Sequence, residues 1–261
     1  MKFGSLFSGI GGLDLGLERA GMECAWQVEI DDYCQKVLTK HWPDVPKYKD
    51  VRDVGKELES VDLICGGFPC QPVSVSGQRR GSKDERWLWD DFYRIICDVG
   101  PSWVVVENVP GLYSAEDGRL FGGILRDLSN GGYDAEWDTI PAAAFGAAHV
   151  RERVFLVAHS AGEPFDVRSA KRKKAVHAGR DGSIRQVANA VGEGRQGVKR
   201  PILENGDIAR RSWWAAEPSV GRVANGVPHR VDRLRGLGNA VVPQVAEFIG
   251  RQIMEANDII Q

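Results

Sequence analysis

The first 158 residues change repeatedly between a strand-like and a helix-like distribution of apolar side chains. The extended runs are short, and the run at 103–106 is apolar on both faces and β-branched at three of its positions, which is typical of a buried strand. The runs predicted as strands are 2–7, 23–29, 61–65, 103–106 and 154–158.

Amphipathic helices are predicted between these strands, because apolar residues recur there at spacings of three and four. Leu13 and Leu17 mark the first helix, which Gly21 is placed to end. The other predicted helices cover 31–41, 92–99, 120–128 and a segment opened by Pro243. This alternation predicts a parallel α/β sheet with helices on both faces.

The composition is that of a globular protein, with 43 % apolar and 27 % charged residues, and it excludes a disordered chain. No apolar run approaches the roughly 18 residues of a membrane span, and the N-terminus lacks the features of a signal peptide. The five cysteines form neither a paired framework nor a CxxC motif. We therefore expect a cytoplasmic protein without a membrane segment, disulfides or a metal site.

The charges are distributed unevenly along the chain. Of 34 Lys and Arg and 36 Asp and Glu, residues 159–235 contain 16 and 8, so this segment is basic and the rest is acidic. Such an asymmetry predicts a nucleic-acid contact surface. The densest basic run is Lys171, Arg172, Lys173 and Lys174, for which a solvated loop is the alternative.

A glycine turn, Phe7-Ser-Gly-Ile-Gly-Gly12, follows the first predicted strand. A dinucleotide-binding turn would have another glycine where this chain has Asp14. Glu29 ends the second predicted strand, where an acid can accept hydrogen bonds from ribose hydroxyls. Together these features suit a mononucleoside cofactor such as S-adenosylmethionine, and a tight turn beside a surface glutamate is the alternative.

The third strand runs into a loop that contains Cys70 between two prolines. This loop lies at the carboxyl edge of the sheet, where open α/β folds bind ligands, and a thiolate there could act as a nucleophile. The alternative, an inert core cysteine, suits Cys65 and Cys97 better, because both lie within apolar patterns.

An acid and two arginines follow at the next strands. Glu107 comes directly after three valines, and neighbouring strands would bring it near Cys70. Arg151 and Arg153 alternate ahead of the last strand, so both guanidinium groups could face one pocket. Surface salt bridges are the alternative for this pair.

The order of these motifs resembles the DNA cytosine-5 methyltransferase family, together with Gly238-Asn-Ala-Val241 near the C-terminus. The resemblance implies a Rossmann-like S-adenosylmethionine-dependent methyltransferase fold, with residues 1–158 and 236–261 as the catalytic and cofactor-binding domain. Residues 159–235 would then be a short basic target-recognition region, a small irregular insert in that fold.

The resemblance also assigns roles to residues. The catalytic residues would be Cys70, Glu107, Arg151 and Arg153. The cofactor would be bound by Phe7, which would stack on the adenine, and by Gly9, Ile10, Gly12, Glu29, Ile30, Asp50, Val51, Phe68, Asn239 and Val241. Nucleic acid would be contacted by Gln71, Ser74, Lys171, Arg172, Lys173 and Lys174.

The implied reaction is methylation of cytosine at carbon 5. The Cys70 thiolate would attack carbon 6, which makes carbon 5 nucleophilic, while Glu107 hydrogen-bonds the ring; the base must leave the duplex to be reached. The implied partner is double-stranded DNA, with the enzyme acting as a monomer in the cytoplasm of a bacterium or of a phage host. A restriction endonuclease could act on the same site without forming a stable complex.

Two other functions fit the same motifs. A subfamily with Pro-Cys-Gln and Glu-Asn-Val motifs methylates transfer RNA, and a non-catalytic cofactor-binding protein is a third possibility. The chain also departs from the family pattern, with His149 and Gly236 at positions where glutamine is usual. These departures leave the chemistry intact and bear on which sequence is recognised.

Overall fold

A computed structural model describes residues 1–69, 87–160 and 230–260. It contains a seven-stranded sheet with the strand order β3-β2-β1-β4-β5-β7-β6. The strands are β1 (Lys2–Leu6), β2 (Glu23–Val28), β3 (Lys47–Tyr48), β4 (Leu63–Gly66), β5 (Trp103–Asn108), β6 (Tyr133–Pro141) and β7 (Glu152–Ser160). The strands predicted from the sequence are therefore confirmed, with small shifts at their ends.

The described helices pack on both faces of this sheet. They are α1 (Gly12–Arg19), α2 (Asp32–His41), α3 (Trp89–Val99), α4 (Arg119–Asn130), α5 (Arg230–Asn239) and α6 (Pro243–Ile260). Short 3-10 turns cover Val51–Asp53, Pro110–Ser114 and Ala142–Phe145. In the described part of the chain, no helix has the length and apolar character needed to cross a membrane.

The sheet is not parallel throughout, and the prediction of a parallel sheet is wrong at one edge. Strands β1 to β5 pair in parallel, whereas β7 pairs antiparallel with both β5 and β6. Only residues 142–151 connect β6 to β7. A connection of this length is too short for the helical crossover that parallel neighbours require.

Alternate residues of the central strands supply two cores. Ile64 and Val104 belong to a core with side chains from α3 and α4, whereas Leu63 and Val105 belong to a second core that includes α1 and α6. Because successive side chains of a strand point to opposite faces, the two cores lie on the two sides of the sheet. The prediction that both faces are covered is confirmed.

The C-terminal helix α6 packs tightly against α1 at Gly16. A Cβ atom at Gly16 would lie 2.4 Å from the Cβ of Ala246 and 2.5 Å from the carbonyl oxygen of Pro243. The second neighbour is backbone and cannot move aside as a flexible side chain could. Gly16 therefore sets the spacing between α1 and the first turns of α6.

We expect Gly16→Ala to lower the free energy of unfolding by about 1–3 kcal/mol, because overpacking forces backbone shifts. The control is Gly122→Ala in α4, where a Cβ atom would meet nothing within 4 Å. This substitution should stabilise the helix by about 0.5–1 kcal/mol. Urea unfolding of both variants measures the effect. Equal midpoints for Gly16→Ala and the wild type would contradict the tight contact.

Candidate active site

The glycine turn after β1 is held by Glu29. Phe7, Gly9 and Gly11 all have positive φ angles, so the chain reverses sharply between β1 and α1. The backbone N–H of Gly9 donates to Oε2 of Glu29 at 2.7 Å, and the N–H of Asp31 donates to Oε1 at 2.8 Å. The carboxylate thus joins the ends of β1 and β2 at the carboxyl edge of the sheet.

This arrangement fits a nucleoside cofactor. Glu29 accepts backbone hydrogen bonds from Gly9, Asp31 and Ile30. A carboxylate has about four acceptor positions in all, so Glu29 can still accept a hydrogen bond from a ribose hydroxyl. Burial raises the pKa of Glu29, while the N–H groups of Asp31 and Gly9 lower it. The neighbouring Ile30 is 58 % exposed, which leaves an apolar surface beside the acid for a flat base.

Asp14 explains why the turn departs from the dinucleotide pattern. Its side chain is fully buried and accepts hydrogen bonds from Gln27 at 2.7 Å and from Ser5 at 3.1 Å. Burial raises its pKa to about 6. Asp14 therefore belongs to the packing between α1, β1 and β2, at the position where the dinucleotide pattern has a glycine for close helix–strand packing.

The other predicted cofactor residues have different surroundings. Phe7 stacks on Phe92, with ring centroids 6.2 Å apart. Val51 is buried, and Asp50 forms an ion pair with Arg52 at 2.6 Å. Phe68 is only 3 % exposed and lies among Trp87, Trp89 and Phe92, so it presents almost no free surface to a ligand.

The segment between α5 and α6 closes over the glycine turn. A Cβ atom at Gly12 would lie 2.4 Å from the carbonyl oxygen of Val241, and one at Gly236 would lie 3.0 Å from the side chain of Ile10. Asn239, at the end of α5, is exposed. The predicted residues Gly12 and Val241 are therefore in contact, and Ile10 contacts Gly236 of α5.

Glu107 lies at the end of β5 beside the loop that leads to Cys70. A Cβ atom at Gly67 would lie 2.6 Å from Oε2 of Glu107, and Nδ2 of Asn108 donates to the carbonyl oxygen of Phe68 at 3.2 Å. Strands β4 and β5 pair here in parallel, with Gly66 opposite Val106. This register places Glu107 next to the start of the Cys70 loop.

Arg153 forms an ion pair with Glu107, with Nε 3.0 Å from Oε1. Both side chains are largely withdrawn from solvent, with 23 % and 11 % exposed. Burial raises the pKa of Glu107 to about 7, although Arg153 and then Arg151 lower it. The carboxyl group is therefore poised to be neutral or ionised near physiological pH, as a general acid requires.

Arg151 has different partners from Arg153. Its Nη2 donates to the carbonyl oxygens of Gly238 at 2.8 Å and Ala240 at 2.7 Å. The predicted strand alternation does not apply to it, because β7 begins at Glu152 and Arg151 has a φ of 34°. Atoms of both arginines line one small cleft, together with Ile140, Ala142, Phe155, Val241, Val242 and Val245.

Four of the five cysteines lie in the described part of the chain, and all four are free thiols. Cys24, Cys34 and Cys65 are buried. Burial raises the pKa of each of these three thiols, which makes the reactive thiolate unavailable. Cys65 is thus an inert core residue, as expected, while Cys97 is only partly buried.

Seven predicted site residues lie outside the described residues, namely Cys70, Gln71, Ser74, Lys171, Arg172, Lys173 and Lys174. Their assignments stay predictions.

Two positioning contacts were not foreseen from the sequence. Asn108 holds the Phe68 carbonyl, and Arg94 of α3 donates to the carbonyl oxygens of Val51 and Val54. Asn108 stands in the quoted Glu-Asn-Val motif, whereas nothing in the sequence indicates the partners of Arg94.

The fold and the site define an α/β protein with a nucleoside-type turn and a buried acid at one edge of the sheet. A family model described as C-5 cytosine-specific DNA methylase matches residues 1–208. The chain belongs to this family. Membership confirms the predicted family and fold class, and with them S-adenosylmethionine as the cofactor.

Individual relatives agree with this assignment. A type II methyltransferase of Bacillus subtilis is 36 % identical over 172 residues, which cover 64 % of this chain and 44 % of the relative. A type II methyltransferase of Picosynechococcus is 34 % identical over 183 residues, covering 63 % and 74 %. This chain thus spans less than half the length of the Bacillus protein.

A solved structure has the same fold. It is named as a DNA modification methyltransferase encoded within a prophage of E. coli, and its sequence is 29 % identical. The superposition has a TM-score of 0.54 and covers 61 % of this chain and 47 % of the other.

Proposed function

We propose that the protein methylates carbon 5 of a flipped-out cytosine in duplex DNA through a covalent adduct with Cys70. The observation that carries this proposal is the buried Glu107 carboxyl group, ion-paired with Arg153 and adjacent to Gly67 at the start of the Cys70 loop. Such a group suits a neutral aromatic ring that must accept a hydrogen bond during the reaction.

S-Adenosylmethionine supplies an electrophilic methyl group when it is bound. On the side of the chain, the N–H groups and positive φ angles of the glycine turn fix the backbone around Glu29, which would bind the ribose. Ile30 offers its exposed face to the adenine, and Val241 closes against Gly12. The predicted stacking of Phe7 on the adenine belongs to the same proposal.

On the base side, the Cys70 thiolate adds to carbon 6, and the electron pair of the carbon 5–carbon 6 double bond becomes available at carbon 5. Glu107 in its neutral form donates a hydrogen bond to nitrogen 3 and accepts one from the exocyclic amine, which stabilises the adduct. Arg153 orients that carboxyl group. After methylation carbon 5 loses its proton, the double bond forms again and the Cys70 thiolate leaves.

Duplex DNA is the proposed substrate because the type II methyltransferases are matched at 34–36 % identity and residues 159–235 are rich in Lys and Arg. Basic side chains bind phosphates without reading the sequence. Action as a monomer in the cytoplasm of a bacterium or phage host, and a restriction endonuclease with the same site, belong to this proposal.

The test is transfer of labelled methyl groups from S-adenosylmethionine to duplex DNA and, separately, to transfer RNA. We expect label in DNA, at cytosines that bisulfite sequencing then locates. Label in transfer RNA alone would favour the RNA-modifying alternative. Cofactor binding without transfer to either substrate would favour the non-catalytic alternative.

A further inference from the structure

Arg151 and Arg153 stand two residues apart and make contacts in different directions. Arg153 reaches Glu107 on the base side of the site. Arg151 reaches two backbone carbonyl groups, that of Gly238 near the end of α5 and that of Ala240 in the segment that joins α5 to α6. A single Nη2 atom makes both hydrogen bonds, so its two protons are used to fix one stretch of backbone.

That stretch of backbone lies against the glycine turn. The carbonyl oxygen of Val241 is so close to Gly12 that a Cβ atom there would lie 2.4 Å from it. Gly236, in α5 just before that stretch, faces Ile10. Arg235 also forms an ion pair with Asp31 at 3.4 Å, directly after Glu29 and Ile30. The segment held by Arg151 therefore covers the turn where the cofactor is expected.

The backbone at Arg151 is in an uncommon conformation. Its φ of 34° lies in a region that non-glycine residues rarely adopt. The surroundings hold it there, since the carbonyl group of Arg151 accepts a hydrogen bond from the N–H of Ala142 at 3.3 Å and Glu152 pairs with Pro141. The side chain of Arg151 contacts the backbone of Gly238 and Ala240 from this strained conformation. A strained conformation that the surrounding structure holds in place indicates a functional constraint.

We propose that Arg151 is a positioning residue for the cofactor, which holds residues 238–241 against the glycine turn, while Arg153 serves the base. The inference rests on the proposed function, because it assumes that the glycine turn binds S-adenosylmethionine. The spacing of the two arginines alone suggests that they share one role. The proposal instead assigns Arg151 to the cofactor side of the site and Arg153 to the base side. The two sides are also connected through the chain, because only one residue separates Arg151 from Arg153, the partner of Glu107.

The test compares Arg151→Lys with the matched control Arg153→Lys. Lysine keeps the positive charge near Glu107, but its shorter, compact ammonium group is a poor substitute for an extended guanidinium. Because hydrogen bonds from a charged donor are lost, we expect Arg151→Lys to weaken S-adenosylmethionine binding about tenfold or more in calorimetric titration. The pH dependence of its turnover should keep its midpoint. Arg153→Lys should retain cofactor affinity while its turnover falls and the midpoint shifts.

Amide hydrogen exchange provides a readout that needs neither cofactor nor activity. In cofactor-free protein, Arg151→Lys should accelerate exchange in the peptides that cover 236–245, and Arg153→Lys should leave those peptides protected. If Arg151→Lys folds poorly, Arg151→Gln is measured in the same way.

The outcomes separate this inference from the proposed function. Wild-type protein that binds S-adenosylmethionine, with unchanged affinity and exchange in the Arg151 variants, would overturn the inference and leave the function standing. Equal loss of cofactor affinity in both lysine variants would also overturn it. Wild-type protein that binds no S-adenosylmethionine would overturn the function, while the exchange data would still test the contact.

Discussion

Replacing Glu107 by glutamine is expected to lower the rate of methyl transfer by about 10²–10⁴-fold, the usual contribution of a general acid or base. The amide has nearly the same shape, so packing beside Gly67 is retained. It cannot give up a proton to the ring, and Arg153 loses its ionisable partner. Affinity for S-adenosylmethionine should change little, because Glu107 lies in β5 and Glu29 follows β2, with β1 and β4 between those strands in the sheet.

The same carboxyl group should make the rate of methyl transfer fall as the pH rises through neutrality. Burial raises the pKa of Glu107 to about 7, so the neutral form that donates to nitrogen 3 is lost as the pH rises through that value. The single-turnover rate of the wild type should carry this descending limb, and Glu107→Gln should lack it. The raised pKa also means that stability contributed by the neutral group declines as the pH rises from about 4.5 to about 7.

Single-turnover rates measured from below to above neutral pH check this expectation. The control is Glu152→Gln, an exposed acid at the start of β7, which should keep both the rate and the limb. A Glu107→Gln variant as fast as the wild type would contradict the assigned role.

Cys70→Ser is expected to abolish methyl transfer while leaving cofactor affinity nearly unchanged. A serine hydroxyl is a much weaker nucleophile than a thiolate at neutral pH. The buried thiols cannot take over the step, since burial raises the pKa of Cys24, Cys34 and Cys65. Cys97→Ser serves as the matched control, and it should transfer methyl groups at the wild-type rate. Activity that survives in Cys70→Ser but is lost in Cys97→Ser would reverse the assignment.

The sequence predicted the central sheet well because its signals are local. A β-branched run such as 103–106 and helical spacing such as that of Leu120, Ile124 and Leu128 report burial directly. The predicted strands do not include β6, although Asp134, Glu136 and Asp138 alternate with less polar residues, which is a period of two. Its short connection to β7 would then have indicated an antiparallel pair.

The sequence did not predict helix α5 or the separate partners of Arg151 and Arg153, because both depend on tertiary contacts. Helix α5 contains two glycines and few apolar residues, and its contacts with the rest of the fold include those of Arg235, Gly236 and Gly238. The alternation rule placed both arginines on one face, but it holds only inside a strand, and Arg151 precedes β7. Spacing also could not show that Glu29 holds the turn through the N–H of Gly9.

The most direct test of the central claim uses a DNA duplex with 5-fluorocytosine at a verified target site. Fluorine cannot leave carbon 5 as a cation, so methylation should trap the enzyme with Cys70 still bonded to carbon 6. We expect a complex that survives denaturing electrophoresis, requires S-adenosylmethionine and maps to the peptide that contains Cys70. This complex should be absent in Cys70→Ala. Active enzyme that forms no such complex, or an adduct that maps to Cys65 or Cys97, would contradict the assignment of Cys70 as the nucleophile.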